Sequence, residues 1–103
     1  MKILITEFME TNSVEILKKN FDITFDQELS KNHKALKDSI NKFDVLIVRN
    51  KTQVNQEILE NATSLKFIGR LGVGLDNIDT DYCKKKNIDV QPETVMNADT
   101  VEE

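Results

Sequence analysis

The sequence has little cysteine, proline, glycine or aromatic content. Its 103 residues include one cysteine, one proline, three glycines, one tyrosine and no tryptophan. The single cysteine, Cys83, excludes an intrachain disulfide and the zinc sites that need two or four cysteines. The sequence therefore gives no sign of an oxidising compartment, and we expect no metal site.

Long apolar runs and a surplus of positive charge are also missing. No run approaches the roughly 20 apolar residues that cross a bilayer, and the first residues lack the apolar stretch and cleavage site of a signal peptide. Lys and Arg number 14 against 18 Asp and Glu, so the formal net charge is −4. Nucleic-acid-binding chains usually carry a basic surplus on one face. We therefore expect a cytoplasmic protein that binds neither membranes nor nucleic acid.

The residues that are present form an ordinary globular composition. Apolar residues make up 39% of the chain and charged residues 31%, which is typical of a folded domain rather than of disorder. A chain of 103 residues is one domain or a piece of one. It is too short to hold a cofactor domain and a substrate domain together.

Short apolar runs alternate with segments of helical spacing. Strands are predicted at residues 2–6, 22–26, 45–48, 65–68 and 88–90. Helices are predicted between them, with caps at residues 11–13, at Ser30, and at Asp79 or Thr80. This order predicts an α/β fold, a parallel five-stranded sheet with helices on both faces. The first, third and fourth strands are continuously apolar and the other two alternate, which favours the doubly wound order 2-1-3-4-5 with the alternating strands at the edges.

Both arginines of the chain follow predicted strand ends. In a 2-1-3-4-5 sheet, ligands bind outside the carboxyl ends of the strands, near the switch between the first and third. Arg49 and Arg70 lie at that edge, and a guanidinium suits carboxylate and phosphate. The pattern favours a small anionic ligand, and two surface arginines without a ligand are the alternative.

All three glycines stand in one block, Gly69-Arg70-Leu71-Gly72-Val73-Gly74. This is the reverse of the dinucleotide fingerprint, and the next acidic residue follows after two positions rather than about 20. Gly72 and Gly74 would let backbone N–H groups approach an anion closely. A tight strand-to-helix turn is the alternative interpretation.

Side chains for nucleophilic or acid–base chemistry are scarce. The only histidine, His33, lies on the apolar stripe of the second helix, and we expect it to be partly buried and structural. Cys83 is expected in the core, and residues 84–86, all lysine, at a solvated helix end. One histidine and one cysteine make neither a nucleophile–base pair nor a metal cage, so we predict no catalytic residue in this chain.

Two blocks of the sequence resemble the D-isomer-specific 2-hydroxyacid dehydrogenases, and most closely their 3-phosphoglycerate dehydrogenase-like branch. Residues 48–54 read VRNKTQV, and residues 65–79 read LKFIGRLGVGLDNID. The resemblance extends weakly over the whole chain. It implies a flavodoxin-like domain that binds substrate, together with a Rossmann domain that binds NAD.

By this resemblance, residues 1–91 are the amino-terminal substrate-binding domain. Residues 92–103 are then the linker and the start of the helix that crosses to an NAD-binding domain absent from this chain, so we expect a truncated sequence. The implied substrate is a small anionic 2-hydroxy or 2-oxo acid, with 3-phosphoglycerate one candidate. The parent is expected to bind NAD and to form a homo-oligomer. The family's catalytic arginine, glutamate and histidine lie later, so this fragment is expected to bind no cofactor and to be inactive alone.

The resemblance also implies site residues. Arg49 and Asn50 match the loop that contacts the distal group of the substrate. Val73 and Gly74, in one turn with Gly72, match positions whose backbone N–H groups hold the substrate carboxylate. Asn97 matches a residue near the interdomain cleft.

The chain departs from the family at two places. The segment Pro92-Glu93-Thr94-Val95 stands where the family has Asn-Ala-Pro-Gly, which puts the local turn there in doubt. Asn87 replaces a helix-ending glycine, and asparagine can also adopt the left-handed conformation.

Other proteins of this fold fit the residues less well. A receiver-like domain needs acidic residues where the chain has Thr6-Glu7 and Arg49-Asn50, and a flavodoxin needs a glycine- and hydroxyl-rich phosphate loop after the first strand. A free-standing small-ligand or protein-interaction domain of flavodoxin-like fold is the alternative that stays open.

Overall fold

The five predicted strands and the four helices predicted between them have counterparts in the structure, a computed structural model that describes residues 1–71 and 76–92. The strands are β1 (Lys2–Ile5), β2 (Asp22–Phe25), β3 (Val45–Val48), β4 (Phe67–Arg70) and β5 (Asp89–Pro92). The helices are α1 (Thr11–Asn20), α2 (His33–Ser39), α3 (Gln56–Glu60) and α4 (Thr80–Lys85). Short 3₁₀ turns at Gln27–Ser30 and Ile40–Lys42 flank α2.

The five strands form one parallel sheet in the order β2-β1-β3-β4-β5. This confirms the predicted α/β fold and its 2-1-3-4-5 order. The continuously apolar strands β1 and β3 lie inside the sheet, where both faces are covered, and the alternating strands β2 and β5 lie at its edges. Since a central parallel strand is buried on two sides, apolar continuity is the expected signature of its place.

The sheet buries its two faces unequally. On one face a large apolar cluster joins the strands to α2, α3 and α4, and it includes Leu4, Leu46 and Ile68, all fully buried. On the other face a smaller cluster of Ile3, Ile5, Val14 and Val45 packs with partly buried neighbours, among them Leu17 of α1. Alternate residues of one strand serve opposite faces, so adjacent positions of β1 and β3 belong to different clusters.

Two predicted helix caps are wrong. The cap of α2 is Asn32, whose Oδ1 accepts from the Ala35 N–H at 3.0 Å, whereas Ser30 lies in the preceding 3₁₀ turn and donates to the Gln27 carbonyl at 2.9 Å. Helix α1 begins at Thr11, earlier than the spacing of its apolar residues indicated, so residues 11–13 are helical and no side chain caps that end. At α2 the cap is one of several adjacent polar residues, and at α1 the polar residues 11–13 belong to the helix itself; the sequence alone did not distinguish these cases.

The last predicted cap and the predicted left-handed residue are confirmed. The Asp79 carboxylate accepts from the Tyr82 N–H at 3.1 Å at the start of α4. Asn87 has φ of 60°, and the Ile88 N–H beyond it donates to the Cys83 carbonyl at 2.8 Å, which closes the helix end. Strands β4 and β5 extend about two residues beyond their predicted ends, because Gly69 and Arg70 pair with Gln91 and Pro92 across the sheet.

Several side chains lie where the sequence indicated and one does not. Cys83 is fully buried. This burial, and to a smaller extent the nearby charge of Asp79, raises the pKa of its thiol to about 11. His33 is partly exposed, with Nε2 2.6 Å from Glu57 Oε1. Lys86, expected in solvent, instead donates from Nζ to the Leu59 carbonyl at 2.7 Å and is half-buried, because the end of α4 lies against the end of α3. Among the described residues, no helix has the length and apolar content needed to span a membrane.

Candidate functional site

Three strands end together at one edge of the sheet. Register pairs Ile5 with Ile47, and Val48 with Arg70, so the residues that follow β1, β3 and β4 meet there. The Thr6 N–H donates to the Ile47 carbonyl at 3.2 Å, and the Leu71 N–H donates to the Val48 carbonyl at 2.7 Å. The sheet therefore brings three segments into one place: Glu7 after β1, residues 49–52 after β3, and residues 70–71 at the end of β4. We call residues 49–52 the β3 loop.

A buried carboxylate organises the β3 loop. Glu7 is 4% exposed. Its Oε2 accepts from the N–H groups of Arg49 at 2.8 Å and Thr52 at 2.9 Å, and its Oε1 accepts from the N–H of Lys51 at 2.9 Å. A carboxylate can accept several such bonds at once, so one side chain fixes three N–H groups of the loop.

These hydrogen bonds also decide the charge of Glu7. Burial by itself raises the pKa of a carboxyl group, but the hydrogen bonds from Thr52, Lys51 and Arg49 act in the opposite direction and together prevail. The pKa of Glu7 is therefore lower than its ordinary value. The side chain is an anion near neutral pH, with its charge directed at the loop.

A buried amide holds the same loop from the other side. Asn77 is 7% exposed, and its Nδ2 donates to the carbonyls of Arg49 at 2.7 Å and Thr52 at 2.8 Å. Its own position is fixed because the Val54 N–H donates to the Asn77 carbonyl at 2.8 Å and the Asp79 N–H donates to the Val54 carbonyl at 2.9 Å. Both the N–H and the C=O of Arg49 and of Thr52 are thus bonded to side chains from elsewhere in the chain.

A hydroxyl pair completes the arrangement. The Thr6 and Thr52 hydroxyls lie 2.8 Å apart and are both buried. The described residues contain no buried polar side-chain atom that lacks a hydrogen-bond partner. Five backbone groups of the β3 loop are held by Glu7 and Asn77, which leaves the side chains of residues 49–51 for other contacts.

A cavity of about 400 Å³ lies beside these side chains. Its lining combines the β3 loop with the 3₁₀ turn after β2: Glu7, Phe8, Gln27, Glu28, Ser30, Lys31, Arg49, Asn50 and Lys51. Three cations, Lys31, Arg49 and Lys51, share this lining with two carboxylates, and that of Glu7 already accepts three N–H donors. Within residues 1–71 and 76–92, the Arg49 guanidinium forms no salt bridge. It is half-buried beside the cavity and is suited to an anionic group.

Arg70, the second arginine of this edge, is engaged differently. Its Nη1 donates to the Leu71 carbonyl at 3.1 Å, and its Nε lies 3.4 Å from Asn77 Oδ1. It lines a second cavity of about 360 Å³ with Asn50, Gln53, Asp76 and Asn77. Arg70 thus supports the residue that holds the β3 loop, whereas Arg49 is carried by that loop.

The structure places Arg49 and Asn50 at the predicted edge, side by side along the first cavity, with Asn50 exposed. The other predicted site residues, Gly72, Val73, Gly74 and Asn97, lie outside the described residues. So do residues 93–103 of the predicted linker. In the part of the chain that is described, no three His, Cys, Asp or Glu side chains gather as metal ligands do.

Sequence reasoning missed Glu7 and Asn77. The signal for Glu7 was an acidic residue directly after a buried apolar strand, where exposure to water is not expected. Asn77 gave no comparable signal, because its sequence neighbours Asp76 and Asp79 are polar as well. Its role depends on contacts with residues 25 and 28 positions away.

Comparison with known proteins adds to this geometry. The model of a family described as D-isomer specific 2-hydroxyacid dehydrogenase, catalytic domain, matches residues 3–103. The chain is 43% identical over 101 residues to the (S)-sulfolactate dehydrogenase of Chromohalobacter salexigens, an alignment that covers 98% of this chain and 33% of that protein.

Solved structures agree with the sequence match. A protein from Pyrococcus horikoshii OT3 aligns with a TM-score of 0.80 and 34% identity, over 88% of this chain and 27% of that one. An NAD⁺-bound 3-phosphoglycerate dehydrogenase of Entamoeba histolytica aligns with a TM-score of 0.66 and 28% identity, over 89% of this chain and 32% of that one. The chain thus spans about a third or less of the length of these relatives. Since the family model extends over nearly the whole sequence, the chain belongs to the D-isomer-specific 2-hydroxyacid dehydrogenases.

Proposed function

We propose that this chain is the substrate-binding domain of an NAD-dependent oxidoreductase that acts on small anionic D-2-hydroxy acids, 3-phosphoglycerate among them. Residues 1–91 would form that domain, and residues 92–103 would lead to an NAD-binding domain elsewhere in a parent protein. The relatives named above support this, because one is a sulfolactate dehydrogenase and another is a 3-phosphoglycerate dehydrogenase with NAD⁺ bound. Both names describe acids that carry a second anionic group.

The observation that carries the proposal is the placement of Arg49. The β3 loop is fixed at the carboxyl edge of the sheet, both backbone polar groups of Arg49 are hydrogen-bonded, and the Arg49 side chain lies beside a cavity with Lys31 and Lys51. Because the backbone of Arg49 is already fixed at both its N–H and its C=O, only the side chain has to be ordered when the guanidinium binds an anion. We assign Arg49 and Asn50 to the distal group of the acid.

The remaining assignments follow the family resemblance. Val73 and Gly74, with Gly72 in the same turn, would hold the carboxylate of the acid through backbone N–H groups. Asn97 would lie near the cleft between the two domains. Arg49 and these groups would fix the two ends of the acid and so orient its hydroxyl-bearing carbon for reaction.

The residues that the structure describes do not fit NAD itself. A dinucleotide pyrophosphate binds where a glycine-rich turn opens directly into a helix. Here Gly69 and Arg70 lie within β4, and the next helix among the described residues begins at Thr80. We therefore place NAD in the other domain of the parent, and we expect this chain alone to produce no NADH from any 2-hydroxy acid.

The test is steady-state kinetics on the full-length parent, with 3-phosphoglycerate and sulfolactate as substrates and NAD⁺ as oxidant. A charged hydrogen bond contributes about 1.5–3 kcal/mol, so Arg49→Ala should raise KM for the acid roughly tenfold or more. The effect on kcat should be smaller, because Arg49 would contact bound substrate and transition state alike.

Lys34→Ala, which removes an exposed cation of α2 outside the lining of the cavity, is the matched control and should leave KM unchanged. An unchanged KM in Arg49→Ala would remove Arg49 from the site. If the protein binds the acid but never reduces NAD⁺, the result would instead favour the alternative function, that of a free-standing small-ligand domain.

A further inference from the structure

We propose that Glu7 and Asn77 are positioning residues, which hold Arg49 where it meets the acid. This inference rests on the function proposed above. Neither side chain needs to touch the substrate. Each would act through the backbone of the β3 loop, and their joint effect would be to keep the Arg49 guanidinium beside the cavity.

Both side chains are hydrogen-bonded to the backbone of Arg49. Its N–H donates to Glu7 Oε2 at 2.8 Å, and its carbonyl accepts from Asn77 Nδ2 at 2.7 Å. Glu7 follows β1 and Asn77 precedes α4, so the two supports come from different connections of the sheet. The peptide groups on both sides of the Arg49 Cα are therefore fixed, and with them the direction in which its side chain leaves the loop.

The chemistry of each support is matched to what it holds. Three N–H donors converge on Glu7, and an ionised carboxylate is acceptor-only, so both of its oxygens can serve them. Two carbonyls converge on Asn77 Nδ2, which has two hydrogens to give. Glu7→Gln would direct an NH₂ group at an N–H, and Asn77→Asp would direct an oxygen at two carbonyls. Either change preserves the size of the side chain: Glu7→Gln turns one of the two acceptors into a donor, and Asn77→Asp turns the donor into an acceptor.

The stability of the core does not by itself explain why a buried carboxylate, that of Glu7, lies beside the β3 loop. Taking a carboxylate out of water costs free energy, and apolar residues of similar size often stabilise a buried site as well or better. Glu7 and Asn77 are both buried, at 4% and 7% exposed, and each is hydrogen-bonded to the β3 loop. What they add is a fixed loop, and the side chain that this loop presents to the cavity in a half-buried position is Arg49.

The kinetic test uses the full-length enzyme. Glu7→Gln and Asn77→Asp should each raise KM for the acid about tenfold, since displacement of a binding group by a fraction of an ångström is enough to weaken its contact. KM for NAD⁺ should stay unchanged. In an Arg49→Ala background, Glu7→Gln should add little to KM, because residues that act as a unit are not additive. Ile58→Ala, a buried change in the large cluster, is the control that lowers thermal stability without changing KM.

A second measurement does not depend on activity. Hydrogen exchange of the β3 loop in the full-length protein should accelerate in Glu7→Gln at the amides of Arg49, Lys51 and Thr52, with the amides of β3 itself unchanged. Glu15→Gln, an exposed change on α1, should leave the loop protected.

The outcomes separate this inference from the proposed function. Faster exchange together with a raised KM for the acid supports it. Unchanged exchange overturns it, and so does faster exchange with an unchanged KM, or a Glu7→Gln effect that is fully additive with Arg49→Ala. If the unmodified enzyme oxidises no acid at all, the proposed function fails and the positioning role fails with it, while exchange still decides whether Glu7 holds the loop.

Discussion

The interior of the sheet and its carboxyl edge are held together by different forces. Inside, fully buried apolar side chains such as Leu4 and Leu46 pack against three helices. Among the described residues, four polar or charged residues are buried, and all four lie at the edge: Thr6, Glu7, Thr52 and Asn77. Each of the four is hydrogen-bonded to another part of the chain.

The contrast between apolar packing and hydrogen bonding indicates where this protein needs exact geometry. Apolar contacts are non-directional, so a core can accommodate modest changes of shape. Hydrogen bonds to buried groups depend on distance and angle, and a buried donor or acceptor without a partner lowers the stability of the fold. The directional contacts are concentrated beside the cavity that Arg49 lines. We therefore expect interior substitutions to affect mainly stability, and edge substitutions to affect mainly binding.

The largest effect on stability is expected in the interior. Leu46 is fully buried in the middle of the large cluster, so Leu46→Ala should lower the free energy of unfolding by about 2–5 kcal/mol. Chemical denaturation followed by circular dichroism measures this. Ile16→Ala, at a residue 60% exposed on α1, is the control and should change stability by less than about 0.5 kcal/mol. Equal midpoints for the two variants would mean that β3 is wrongly placed.

At the edge, Glu7→Gln should be the next most damaging change. It leaves a buried N–H of the β3 loop without an acceptor, which costs about 1–3 kcal/mol. Because the pKa of Glu7 is lower in the folded chain than in the unfolded one, the stabilisation is fully present above the ordinary glutamate pKa. It is lost as the pH falls from there through the folded-state value.

Denaturation at a series of pH values checks this dependence. The stability difference between the parent sequence and Glu7→Gln should be constant near neutral pH and should shrink in acid. A difference that grew on acidification would contradict an ionised Glu7 in the folded state. Glu15→Gln, at an exposed position, should show no comparable dependence on pH.

The smallest effect on stability is expected for Arg49 itself. Its guanidinium makes no salt bridge with any described residue, so Arg49→Ala should change the free energy of unfolding by less than about 0.5 kcal/mol. Thermal unfolding measures this, beside the raised KM expected for the full-length enzyme. A loss of stability as large as that of Leu46→Ala would place Arg49 among the structural residues and would end the contrast between interior and edge.

Much of the architecture could be predicted from the chain. Continuous apolar residues placed β1 and β3 inside the sheet, and alternation placed β2 and β5 at its edges, because each pattern reports how many faces of a strand are buried. The same reasoning put Arg49 and Asn50 at the carboxyl edge. Details that depend on a choice among similar polar neighbours were less predictable, as the caps of α1 and α2 show.

The order of the strands and the edge at which Arg49 lies could therefore be predicted from the chain, since both follow from local patterns of burial and from position after a strand. The burial and charge of Glu7, and the bonds that Asn77 makes to the opposite side of the β3 loop, depend instead on tertiary contacts. Those contacts join residues separated by 25 to 45 positions. No local pattern specifies such pairs, because their free energy depends on which strands the sheet has already brought together.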